Sequence, residues 1–125
     1  MVSKSDLAYP DTWYSYFFGY VLYFERNTMR KLALSDEILM KVDKAARYIG
    51  GEVNSVMKDK NNVDIRFAMC FPDVYEIGMS NLGMMILYNM FNEREDVWCE
   101  RVFSPWMDLD KIMREEHIPL FALES

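Results

Sequence analysis

One histidine and two cysteines are all that this 125-residue chain has of the side chains best suited to hold a transition metal. Cys70 and Cys99 each sit inside an apolar run (Phe67-Ala-Met-Cys-Phe71 and Val97-Trp-Cys99) and form no redox or metal motif. They read as buried structural thiols in a reducing cytoplasmic compartment, too few for an iron–sulfur centre. His117 is alone at the end of a helical pattern, where its charge is favourable. Ser80 lies in Gly78-Met-Ser-Asn-Leu82, which is no nucleophile elbow, so serine hydrolase chemistry has no support. Gly78 and Gly83 leave four residues between them, but Met84-Met85 follows where a phosphate-cradling loop needs Lys and Ser or Thr. A dinucleotide G-x-G-x-x-G is also missing. Basic residues are scattered in a chain of net charge −6. That balance disfavours nucleic acid and anionic membranes, because counterion release needs clustered Lys and Arg.

What is present points to a buried core. Hydrophobic residues make up 51% and charged residues 27%, a globular balance that argues against disorder. The 11 methionines read as flexible core filler. The length allows one domain at most, and its first part differs from the rest. Residues 1–28 hold the aromatic run Trp13-Tyr-Ser-Tyr-Phe-Phe-Gly-Tyr-Val-Leu-Tyr-Phe24, followed by Glu25-Arg-Asn27. The run is too short to span a bilayer, which takes about 20 apolar residues. It lacks the cleavage site of a signal peptide and the basic face of an interfacial helix. Three readings stay open: a non-native extension before a true start at Met29, an ordered aromatic hairpin, or a membrane-interface anchor. The first is preferred.

From residue 29 to 62 the pattern predicts a helix and a connector. Ser35 is a cap, Asp36 and Glu37 suit the first turn, and Ile38, Leu39, Val42, Ala45 and Ala46 recur at helical spacing before Gly50-Gly51. Residues 63–125 then read as β-α-β-α-β. The strands are Val63–Phe71, Val97–Phe103 and Ile118–Leu123. The helices are Leu82–Phe91, apolar nearly all round and so deeply packed, and a short one capped by Asp108 with Leu109, Ile112 and Met113 inward. The expectation is an α/β fold: a partial Rossmann-like parallel sheet, preceded by a helix and incomplete as a doubly wound domain.

In such sheets ligands sit outside the carboxyl ends of strands, which singles out Phe71-Pro-Asp-Val-Tyr-Glu-Ile-Gly-Met-Ser-Asn-Leu-Gly83. Within it, Asp73-Val-Tyr-Glu-Ile-Gly78 carries the Asp and Gly of the cobalamin-binding signature D-x-H-x-x-G, with Tyr75 in place of His. A phenol with a pKa of about 10 is a poor cobalt ligand near neutrality. Tyr75 is therefore expected to pack below a corrin. The bland reading makes Asp73 and Glu76 solvated carboxylates, Tyr75 a packing aromatic and Gly78 a turn residue with positive φ.

Residues 29–125 resemble the N-terminal region of cobalamin-binding-type radical S-adenosylmethionine (SAM) proteins. The matching blocks are Ala46–Glu52, Val63–Phe67, Phe71–Gly83, Glu100–Phe103 and Pro119–Ser125, with Ala45 where the family has Pro. The resemblance implies cobalamin near Asp73, Tyr75, Gly78, Ser80 and Gly83. It also implies a following barrel whose Cys-x-x-x-Cys-x-x-Cys triad holds a [4Fe–4S] cluster and SAM. This chain lacks that triad, so it is expected to be a truncated part that is inactive alone. Its partner is then the remainder of the radical SAM protein. In the alternative it is a small cofactor-binding module completed by a separate catalytic chain.

Overall fold

Two apolar runs become the central strands in the computed structural model, which describes residues 22–23 and 34–124. Strand β2 (Ile65–Phe71) and strand β3 (Val97–Phe103) pair in parallel, from Ile65 opposite Val97 to Phe71 opposite Phe103. A two-residue strand, β1 (Leu22–Tyr23), adds antiparallel to the other side of β2, with Leu22 opposite Met69. The sheet order is β1-β2-β3, so β2 is central, as its two-faced apolar pattern requires.

Among the described residues the fold is mixed α/β, with a parallel sheet of two strands. Helix α2 (Tyr75–Ser80) and helix α3 (Leu82–Asn92) follow β2, and helix α4 (Met107–Glu115) follows β3. One core joins Met69, Cys99 and Phe103 of the sheet to Met84 and Tyr88 of α3 and to Leu123. A second joins Ile38 and Val42 to Leu109 and Met113 of α4. Each large side chain buried there contributes about 1.5–3 kcal/mol.

Several expectations are corrected. The first helix stops early: α1 is only Asp36–Leu39, and Ala45–Arg47 forms a separate 3-10 turn. Ser35 does cap α1, accepting from the Ile38 N–H (3.4 Å). The interruption has a partner far along the chain, because the Asp43 N–H donates to Asp108 Oδ2 (2.8 Å) instead of to a helical carbonyl. Asp108 is accordingly inside α4, with Trp106 at its N-cap, and its carboxylate also accepts from the Leu109 N–H.

The segment 118–123 lies against β3 without forming a strand. Pro119 has no N–H to donate. The Leu123 N–H reaches the Arg101 carbonyl (2.9 Å), but the Arg101 N–H is taken by the Glu124 carboxylate (2.8 Å). A side chain thus occupies a place that a strand carbonyl would fill.

Helix α3 is packed on one side only. Met84 and Tyr88 are buried, whereas Leu82, Ile86 and Met90, at i, i+4 and i+8, remain exposed. The readings made for residues 1–28 lie outside the described residues, apart from the β1 backbone. Among the described residues no helix is long and apolar enough to cross a membrane.

Candidate functional site

Beyond the carboxyl end of β2 the chain turns over three residues and becomes helical, so most of the expected Phe71–Gly83 loop is α2 and the start of α3. The Asp73 side chain accepts from the Val74 N–H (2.8 Å), and its carbonyl accepts from the Ser104 N–H (2.9 Å), tying the ends of β2 and β3 together. Ser80 Oγ donates back to the Glu76 carbonyl (2.8 Å). Asn81, in extended conformation, ends α2 and caps α3 by accepting from the Met84 N–H (2.9 Å). Gly83 is exposed in the first turn of α3, where an added Cβ would meet Asn81 Oδ1 at 3.3 Å.

Gly78 does not serve a positive φ; among the described glycines that conformation falls to Gly50 and Gly51. It is buried in α2 against Phe103, and a Cβ there would stand 2.1 Å from the ring. The absent side chain lets α2 sit directly on the end of β3. The same ring meets Tyr75 edge to face, with centroids 5.7 Å apart.

Tyr75 and Phe103 form part of the wall of a cleft of about 320 Å³ that opens to solvent. Arg47, Tyr48, Ser104 and Leu120 complete much of the lining. Arg47 comes from the 3-10 turn. Its Nε donates to Glu76 Oε1 (2.8 Å), and its guanidinium lies 5.2 Å from the Trp106 ring centroid. That hydrogen bond is the main reason the Glu76 carboxyl is held below its usual range. Tyr48 accepts from the Trp106 N–H (3.2 Å) and donates to Asp108 Oδ1 (3.5 Å).

Behind the cleft lies a buried polar network. Arg101 is fully buried in β3. Its Nε donates to Glu124 Oε1 (2.7 Å), and its Nη2 donates to Glu52 Oε2 (3.1 Å) and Ser55 Oγ (2.9 Å). The guanidinium also stacks over the Tyr88 ring at 4.4 Å. The Tyr88 hydroxyl donates to Glu124 (3.1 Å) and accepts from the Val56 N–H (2.8 Å). Burial pushes the Glu124 carboxyl up while Arg101 pulls it down, and burial prevails. Burial, with the neighbouring Glu52 carboxylate, pushes the Tyr75 phenol up to about 12.

The strand pairing also settles the cysteines. Cys70 is opposite Val102 and Cys99 is opposite Phe67, so they stand three positions out of register. Burial, with Glu124 and Glu100 nearby, pushes the Cys99 thiol up to about 12. Among the described residues no group of three or more His, Cys, Asp or Glu could hold a metal ion.

Residues 83–125 match the family model described as radical SAM proteins, N-terminal. The match supports a radical SAM relationship. No curated protein and no solved structure matches the chain. Gly83, Tyr88, Arg101, Phe103, Ser104 and Glu124 lie inside the radical SAM match; Arg47, Glu52, Asp73, Tyr75, Gly78 and Ser80 lie before it.

Of the expected site residues, Tyr75 reaches the cleft, while Asp73, Gly78, Ser80 and Gly83 make backbone, capping or packing contacts around it. Sequence reasoning missed Arg47, Glu52, Ser55, Arg101 and Glu124. Arg101 carried one usable signal, a charge in the middle of a strand otherwise read as core.

Proposed function

We propose that this chain is the N-terminal part of a radical SAM protein and does not carry out the radical reaction by itself. The match of residues 83–125 to the radical SAM N-terminal model carries the reading. The two-strand parallel sheet agrees with it, being short of a full doubly wound domain. The cluster that such proteins use reduces and cleaves SAM. The residues of this chain do not fit it: two thiols out of register, one of them deeply buried, cannot replace three converging cysteines.

The cobalamin-type assignment rests on the resemblance of the Asp73–Gly78 spacing. Against it stand the engagement of Tyr75 with Phe103 and the shallowness of the cleft, whose volume of about 320 Å³ includes open solvent. A corrin macrocycle needs far more enclosed space. The described residues alone therefore do not fit the cofactor, and no chemical step is assigned to it.

The test is the mass of the native polypeptide, captured from its own cells through the Phe71–Gly83 region. A heavier chain carrying an iron–sulfur spectrum is expected. A 14.9 kDa chain co-purifying with a separate cluster-bearing chain would favour the two-chain arrangement. A 14.9 kDa chain without either would overturn the proposal.

A further inference from the structure

We propose that the aromatic run Trp13–Tyr20 covers the sheet face opposite α3, seated on Ala68, Cys70, Val102 and Ala122. The parallel register sets Arg66, Ala68 and Cys70 of β2 beside Trp98, Glu100 and Val102 of β3, so these six share one face. Met69, Cys99 and Phe103 alternate to the other face, where Met84 and Tyr88 of α3 cover them. On the first face Ala68, Val102 and Ala122 form a separate cluster with Cys70 against it, and among the described residues no helix joins that cluster. All three are nonetheless buried, as are Trp98 and Glu100. A sheet face left bare is wetted. Its cover therefore comes from outside the described residues.

Half of the face supplies its own cover. The Arg66 guanidinium lies over the Trp98 ring at 4.7 Å and donates to both Glu100 oxygens (2.6 and 3.2 Å). The Trp98 indole N–H donates to the Val56 carbonyl (2.9 Å). The carboxyl half, with Ala68, Cys70, Val102 and Ala122, has only short side chains. Large rings pack well against such positions, because facing layers interdigitate when large meets small.

Charge, position and reach choose the occupant. Arg66 and Glu100 balance each other, so a charged segment laid here would lose its hydration without gaining a counter-charge. Residues 13–24 carry no charge. Strand β1 holds the outer edge of β2, with Leu22 opposite Met69 and Tyr23 opposite Ala68. Being antiparallel, the chain before Leu22 leaves that edge at the Cys70 end, beside the uncovered half. Eight extended residues reach about 26 Å, whereas crossing two strands takes about 10 Å. Translation from Met29 would leave this face bare.

The experiment follows labelling of each thiol by N-ethylmaleimide, read by peptide mass. Trp13→Ser, Tyr16→Ser, Phe17→Ser and Phe18→Ser combined should speed labelling of Cys70 about tenfold or more over the unaltered chain. Cys99, enclosed on the α3 face, should stay slow. An unchanged Cys70 rate would overturn the proposal. Should both thiols open, the variant has unfolded and the unaltered chain decides by nuclear magnetic resonance. Its Ala68 and Ala122 methyl groups should then show Overhauser contacts to the rings of residues 13–20. Absence of those contacts, or contacts only between differently labelled copies, would overturn the proposal, the second case in favour of a dimer.

Discussion

Gly78 sits so close to Phe103 that a Cβ would stand 2.1 Å from the ring. Gly78→Ala should therefore lower stability by about 1–3 kcal/mol through overpacking, despite the better helix propensity of Ala. Urea denaturation of Gly78→Ala, Phe103→Leu and the double variant checks this. The double variant should recover part of the loss, since the smaller side chain makes room for the methyl group.

Arg101 and Glu124 are both fully enclosed, so removing one partner strands the other. Arg101→Met should cost about 3–5 kcal/mol, enough to unfold much of a small domain. Replacing both, as Arg101→Met with Glu124→Leu, should cost less than Arg101→Met alone, because the enclosed Glu124 charge goes with its partner and only the less buried Glu52 carboxylate loses Arg101. A double-mutant cycle by chemical denaturation measures the coupling.

Tyr75 and Tyr88 are both pushed up to about 12, in each case chiefly by burial. The unfolded phenol titrates near pH 10. With the folded value raised, the stabilising contribution is complete below about pH 10 and is lost as pH rises toward 12. Ultraviolet titration should show these two phenols ionising after the exposed ones and together with unfolding. Tyr75→Phe should remove part of the late absorbance step.

His117 adopts φ 55 at the end of α4, where the Ile118 N–H returns to the Met113 carbonyl (2.9 Å). A non-glycine residue in this conformation costs about 1–2 kcal/mol, and glycine gives back some of that through unfolded-state entropy. His117→Gly should raise the unfolding free energy by up to about 1 kcal/mol, read from the denaturation midpoint.

Elements whose signal is local were legible. The apolar run Val97–Phe103 is β3 residue for residue. Ser35 caps α1, and Leu109 and Met113 face inward from α4. What escaped depends on distant partners. Asp43 and Asp108 meet across 65 positions, and that contact ends α1 where helical spacing continues. Glu124 takes the N–H of Arg101 across 23 positions, which keeps 118–123 from becoming a strand. The outward Leu82, Ile86 and Met90 were also misread, because an apolar helix announces no preferred face when nearly every position is apolar.

The sequence by itself determined the α/β class, the two parallel strands and the placing of the candidate site at their carboxyl ends. Those follow from hydrophobic periodicity and turn chemistry, which act between near neighbours. Only tertiary structure decided what Gly78 is for, which carboxylate meets Arg101, and that Arg47 joins Tyr75 in one cleft. Those outcomes depend on close packing and on pairing buried charge, and both are properties of segments brought together from across the chain.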